Sequence, residues 1–251
     1  ESIMTTIRAY HRPATLDDAL ALLAQPDVAP LGGGTVLNGL PASTPAEVVD
    51  LQALGLDGIT RDGAALRIGA MVHLQDLIDH EWVPPLLKDL AHREAPNTIR
   101  NAATIGGTIA AADPESELLA GLLAHGAGVT IARPSGPTDI GLADLLADRS
   151  ELESGLIIAV HVIIGGAGAA ARTGRTPADT PIVMVAGVCD DAASHRLAAT
   201  GVADTPVLID LDALDDLDPP PDFRGSSDFR RALVGVLGAR VIADLEKAGQ
   251  G

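Results

Sequence analysis

The sequence predicts an α+β fold with a break near residues 165–180. Three observations carry this. Strand-like and helix-like segments follow one another irregularly, without the regular βαβ alternation of a parallel sheet. Composition shifts at "GGAGAAARTGRTPADTP", Gly165 to Pro181, which is rich in Gly, Ala and Pro and suits a linker or loop. Hydrophobic residues make up 47% of the 251 residues but aromatics only 2%, so the core is built from Leu, Val, Ile and Ala. That length holds one large domain or two modest ones.

Taken in order, "TIRAYHRPATLDDALALLAQP" reads as a strand, a turn and a helix. Thr15 N-caps the helix, Leu16, Leu20 and Leu23 form its buried stripe, and Pro26 ends it. "VAPLGGGTVLNGL" sets three glycines between apolar segments, and "AEVVDLQAL" is a short strand and turn. "GITRDGAALRIGAMVHLQDLI" predicts a hairpin around Arg61–Gly63, then a helix from about His73; "VPPLLKDLAHREAP" is a further helix, ended by Pro96. "NTIRNAATIGGTIAAADPESE" reads as a Gly-kinked strand leading to a helix, with Asp113 as N-cap and Pro114 at the first helical position. "AGVTIARP", "ESGLIIAVHVIIG", "IVMVAGVCD" and "HRLAATGVAD" are strands. After a polar, Pro-rich connection comes a long final helix. Ser226 or Ser227 caps it, and Phe229, Leu233, Leu237, Val241 and Leu245 share one face.

Charge and cysteine count exclude several functions. The net charge is -17, and Lys88 and Lys247 are the only lysines, so binding to nucleic acid or an anionic membrane surface is disfavoured. Cys189 is the only cysteine, which excludes an internal disulfide, an iron–sulfur cluster held by this chain alone and a Cys-rich zinc site. The seven histidines are dispersed without metal-binding spacing. The longest apolar run, near "LIIAVHVIIG", is about half what a bilayer span needs. "ESIMTTIRAYHRP" contains no apolar signal region. The expectation is a cytoplasmic protein with neither metal ligands nor an integral membrane segment.

Two motifs carry the chemistry. "LGGGT", Leu31–Thr35, lets the backbone present consecutive N–H groups, a nest that binds phosphate without a cationic side chain. No Gly-Lys-Ser/Thr follows, so it is not a Walker A loop. "TIGGT", Thr104–Thr108, has the same character, with two hydroxyl donors added. Each alone also fits a tight turn; together they favour a diphosphate-bearing cofactor. "GAGAAA", Gly166–Ala171, fits a dinucleotide fingerprint, but Gly174 and Pro177 interrupt any helix after it. An NAD-binding protein remains a minor alternative.

The stretch "IRNAATIGGTIAAADPESELLAGLLAHGAGVTI" resembles the signature of the FAD-binding medium subunit of molybdenum hydroxylases, the family of carbon monoxide dehydrogenase and xanthine dehydrogenase. "LGGGTVL", "GITRDGAALRIGAMV" and "GSSDFRRALVGVLGARVIADL" are similar to further family segments, in the family's order. The resemblance implies an FAD domain of the vanillyl-alcohol-oxidase-like class over residues 1–165, with subdomains of about 1–55 and 56–165. A linker at 166–180 and a C-terminal domain at 181–251, with a three-stranded antiparallel sheet and helices, would follow. FAD would lie between the subdomains. The motif running from Leu31 through Gly32, Gly33, Gly34 and Thr35 to Val36 would cradle the pyrophosphate. Thr104, Ile105, Gly106, Gly107 and Thr108 would hold the other side, with Glu117 at the position of a cofactor-bonding Asp and Leu156 as an apolar lining residue.

This chain departs from the family pattern at five places. Gly32 stands for Ala, Val36 for Asp or Ser, Thr108 for Asn and Glu117 for Asp; an expected Lys falls on Ala171, with Arg172 beside it. The resemblance implies an oxidoreductase subunit without catalytic side chains of its own, because the flavin performs the redox step. It would take electrons from an iron–sulfur small subunit bearing [2Fe-2S] clusters and pass them to NAD, a quinone or dioxygen. The molybdenum cofactor would sit on a large subunit, in a dimer of heterotrimers. A -17 surface is compatible with this if the docking patches are apolar or neutral. The competing readings are an assembly subunit that has lost FAD and a stand-alone flavoprotein oxidoreductase.

Overall fold

A computed structural model describes residues 7–37, 47–153, 155–174, 179–189 and 194–249. Three sheets organise them. The first is small and parallel, in the order β1 (Ala9–His11), β3 (Glu47–Asp50), β2 (Val28–Leu31). Helix α1 (Leu16–Leu23) covers it, burying Ala19 and Leu20 against Val49 and Leu51. Thr15 caps α1 by accepting the Asp18 amide at 3.2 Å.

The second sheet is antiparallel, in the order β4 (Ile59–Asp62), β5 (Ala65–Gly69), β8 (Leu156–Ile163), β6 (Gly128–Ala132), β7 (Thr138–Gly141). The hairpin expected around Arg61–Gly63 joins β4 to β5. Helices α2 (Leu74–Asp79), α3 (Pro85–Glu94), α4 (Asn97–Arg100), α5 (Ile105–Ala111), α6 (Glu117–Ala124) and α7 (Leu142–Ala147) lie between its strands in sequence, and all but α4 share one apolar core with it. Every residue of α6 is buried, which suits its unbroken run of Leu, Ala and Gly after Glu117. One face of α6 meets α3, and another meets the third sheet.

That third sheet is antiparallel and has four strands, not three, in the order β12 (Val207–Ile209), β11 (His195–Thr200), β10 (Met184–Cys189), β9 (Ala167–Arg172). Strand β9 lies within the stretch expected to be a linker. Its alanines and glycines carry little strand propensity, yet six residues pair in register with β10. Residues 175–178 of the same stretch lie outside the described residues. Helix α8 (Ser227–Ala248) covers the sheet with Val234, Leu237, Val241 and Leu245, capped by Ser226. Phe229, placed on the inner face by spacing, is half exposed, and Arg230 is buried instead. Its Nη1 donates to the carbonyls of Ile182 (3.0 Å) and Gly201 (2.7 Å). Among the described residues, no helix is long and apolar enough to cross a membrane.

Candidate functional site

The two glycine motifs, far apart in sequence, touch. A Cβ on Gly33 would lie 1.5 Å from the Ala102 carbonyl oxygen, so only glycine lets the loop after β2 lie against the chain entering α5. Gly34 has φ +72, a left-handed conformation that glycine adopts without steric cost. The backbone amides of Gly32, Gly33, Gly34 and Thr35 make no hydrogen bond to another described residue.

The second motif is not a kinked strand. Thr104 is the N-cap of α5, its Oγ1 accepting the Gly107 amide at 3.1 Å. The Ile105 amide donates to the Val72 carbonyl (3.0 Å) and that of Gly106 to Ala70 (2.9 Å). The first-turn donors of α5 are therefore used inside the protein. Thr108 Oγ1 donates to the Thr104 carbonyl at 3.1 Å, so this hydroxyl too is engaged in the helix. What remains on the outer side is bare backbone. A Cβ at Gly107 would meet only Thr104 Oγ1, at 3.0 Å. The motif thus presents an open face, and the Gly32–Thr35 loop carries amides that no described residue engages.

A cavity of about 240 Å³ lies between them, lined by Gly32, Gly33, Gly34, Thr35, Val36, Thr104 and Gly107 among others. A smaller one of about 110 Å³ shares Pro30, Gly32, Thr104, Gly107 and Ala110 and adds Gly106, Met71 and Leu156. Leu31 and Ile105 line neither: Leu31 ends β2, and Ile105 is fully buried in the core.

Glu117 lines a third, polar cavity of about 560 Å³ with Arg93, Glu94, Arg100, Glu115 and Arg172. Arg172 projects here from β9, whereas Ala171 packs on the opposite face with the core under α8. Glu117 Oε1 pairs with Arg172 Nη2 at 3.0 Å. Its Oε2 lies 4.0 Å from Arg93 Nη1, is buried, and meets no hydrogen-bond donor among the described residues. Burial raises the Glu117 carboxyl above its usual range, although Arg172 and Arg93 oppose this. Glu94 is raised by burial too, despite accepting the Leu118 amide at 3.0 Å. Arg100, the basic residue of the signature stretch, is a brace: it donates to the carbonyls of His92 (3.0 Å) and Ala95 (2.8 Å) and to Gln75 Oε1 (3.1 Å). Sequence reasoning missed Arg93 and Glu94, which by pattern were only the end of a helix.

Residues 4–164 match the family model of the FAD binding domain in molybdopterin dehydrogenase. The chain belongs to this family. It is 32% identical to the uncharacterized protein YgfM of Escherichia coli K12, over 97% of this chain and 98% of that one. It is 28% identical to the carbon monoxide dehydrogenase medium chain of Afipia carboxidovorans, over 93% and 94% respectively. Among solved structures, carbon monoxide dehydrogenase from Hydrogenophaga pseudoflava superposes with a TM-score of 0.87 at 25% identity, covering 98% of this chain and 99% of that chain. The likeness therefore spans both the FAD-binding domain and the C-terminal domain of antiparallel sheet and helix, and the Afipia relative is the medium chain of a dehydrogenase.

Proposed function

We propose that this chain is the FAD-carrying, electron-transfer subunit of a molybdenum hydroxylase-type complex. The observation that carries the reading is the groove where the Gly32–Thr35 loop, whose amides engage none of the described residues, faces the bare backbone of Gly107. That pairing fits a diphosphate: donors on one wall, room for close approach on the other. The left-handed Gly34 suits such a loop, and the orphaned Glu117 Oε2 is an acceptor in the separate polar cavity. When bound, FAD would supply the redox chemistry.

The chain's own residues would bind and orient. Gly32, Gly33, Gly34 and Thr35 would donate to the pyrophosphate, with Leu31 and Val36 as the flanks of that loop. Thr104, Gly106 and Gly107 would form the opposite wall, with Ile105 and Thr108 anchoring it from inside. Leu156 would line an apolar part of the groove. Glu117 would offer an acceptor to the cofactor, held in place by Arg172.

Electrons would arrive from an iron–sulfur subunit and leave to NAD, a quinone or dioxygen. The molybdenum site would reside on a large subunit, in a cytoplasmic dimer of heterotrimers. The domain bodies would be 1–165 and, after β9 opens the third sheet, the remainder of the chain. The absorption spectrum of the purified protein, before and after adding FAD, tests the reading. Visible flavin bands that survive desalting are expected. Their absence after FAD addition would leave an assembly subunit without flavin. Substrate oxidation by the isolated chain would favour a stand-alone flavoprotein.

A further inference from the structure

The chain's two phenylalanines, Phe223 and Phe229, both reach the surface. Phe223 is 97% exposed and Phe229 46%. The Phe229 ring lies against the turn that carries Phe223, since a Cβ on Gly225 would come within 2.7 Å of its Cδ1.

This turn is firmly held. Asp222 and Gly225 exchange backbone hydrogen bonds at 3.1 and 3.2 Å. The Asp222 carboxylate accepts the amides of Arg224 (2.8 Å) and Gly225 (3.2 Å) and pairs with Arg230 Nη2 at 2.6 Å. Arg230 is itself buried on the carbonyls of Ile182 and Gly201. Arg224 pairs with Asp222 and with Glu115 and lies 5.9 Å from the Phe223 ring centre. The turn is thus fixed both to the C-terminal core and to Glu115, a wall residue of the polar cavity. In the isolated chain, this network holds a large aromatic side chain in water, where its apolar surface stays hydrated.

We infer that Phe223 is a docking knob for another subunit of the complex, one that offers an apolar pocket rimmed by Lys and Arg. This rests on the reading of the chain as a complex subunit. Rigid aromatic anchors are the side chains from which interfaces draw most of their affinity. Charge selects the occupant. Exposed Asp212, Asp215, Asp216, Asp218 and Asp228 occupy the flanking segments, and the nearby Arg224 and Arg231 are already paired with carboxylates. A second copy of this -17 chain or an anionic membrane is repelled, and a basic rim is attracted.

The test replaces the full chain in its host with a tagged version. Wild type, Phe223→Ser and Phe223→Leu are compared, together with a benzophenone photocrosslinker at position 223. Subunits are identified by mass spectrometry. Flavin content and thermal melting of each chain are measured separately. Phe223→Ser should lower the retained partner about tenfold, as expected for one hot-spot aromatic, with flavin content and melting unchanged. Phe223→Leu should restore most of the loss, and the crosslink should map to an apolar peptide with basic neighbours. Equal assembly of the Ser variant overturns the proposal, as does a crosslink to lipid or to a second copy. A wild-type chain that binds FAD but assembles with nothing overturns the docking knob and leaves the flavin claim standing.

Discussion

Arg172 Nη2 and Glu117 Oε1 meet at 3.0 Å, joining β9 of the third sheet to the first turn of α6 across the polar cavity. Both side chains are largely shielded from water, at 17% and 5% exposure. Removing one partner of such a pair strands the other's charge. Arg172→Met should cost about 3 kcal/mol near neutral pH. The cost should shrink under mildly acidic conditions, where the stranded Glu117 takes up a proton. Urea unfolding at the two pH values checks this; equal losses at both would show that the pair does not act through charge.

A second prediction concerns the sign of the pH dependence. Glu94 and Glu117 both have carboxyls raised by burial. In the folded state each holds its proton more tightly than in the unfolded chain. The stability each contributes is therefore full below the ordinary value of about 4.3 and declines as pH rises through the raised folded value. Asp222 runs the other way. Hydrogen bonds from Arg230 and Arg224 hold its carboxyl well below the usual range. Its contribution is full above the ordinary value of about 3.9 and is lost as pH falls. Glu117→Gln should flatten the mildly acidic limb of the melting-temperature profile, and Asp222→Asn the strongly acidic one. Unchanged limbs would refute these assignments.

The seam between the motifs gives a third. Gly33→Ala has no room, with the Ala102 carbonyl 1.5 Å from the new Cβ. The loop must move, at a cost of about 3 kcal/mol or more. A thermal melt indistinguishable from wild type would contradict the packing.

Capping gives a fourth. Thr104→Val removes the acceptor of the Gly107 amide and should cost about 1 kcal/mol, with Thr104→Ser restoring most of it. Chemical denaturation of both variants decides this; equal stability of the two would remove the cap from the account.

Much of the fold was legible because its signals were local. The Arg61–Gly63 hairpin, the Thr15 cap and the Leu-rich helices follow from spacing and turn chemistry. The misreadings share a cause, which is tertiary contacts outweighing local propensity. Two adjacent glycines argue against a helix at Ile105–Ala111, yet the Val72 and Ala70 carbonyls and the Thr104 cap start one. A stretch rich in Ala and Gly argues for a linker at 166–180, yet pairing with β10 makes residues 167–172 of it a strand. The rest of the expected face of α8 packs into the core as spacing predicts, but at its first turn Arg230 goes in instead of Phe229, because its guanidinium answers carbonyls from distant segments. At the site, the glycines and threonines pointed to two backbone motifs, which the structure brings together. Their division of labour did not show, because it depends on which amides other segments have already engaged. Nor did the Glu117–Arg172 pair, which exists only once β9 lies beside α6.

The central claim is that FAD lies in the groove between the Gly32–Thr35 loop and Gly107. Its most direct test is an FAD titration of wild type and Gly107→Val, read by quenching of flavin fluorescence, with circular dichroism melts run in parallel. A Cβ at Gly107 touches only Thr104 Oγ1, so the larger side chain fills the groove while the fold persists. One tightly bound flavin per wild-type chain is expected, none retained by the variant, with similar melts without FAD. Equal flavin binding by both chains would contradict the claim.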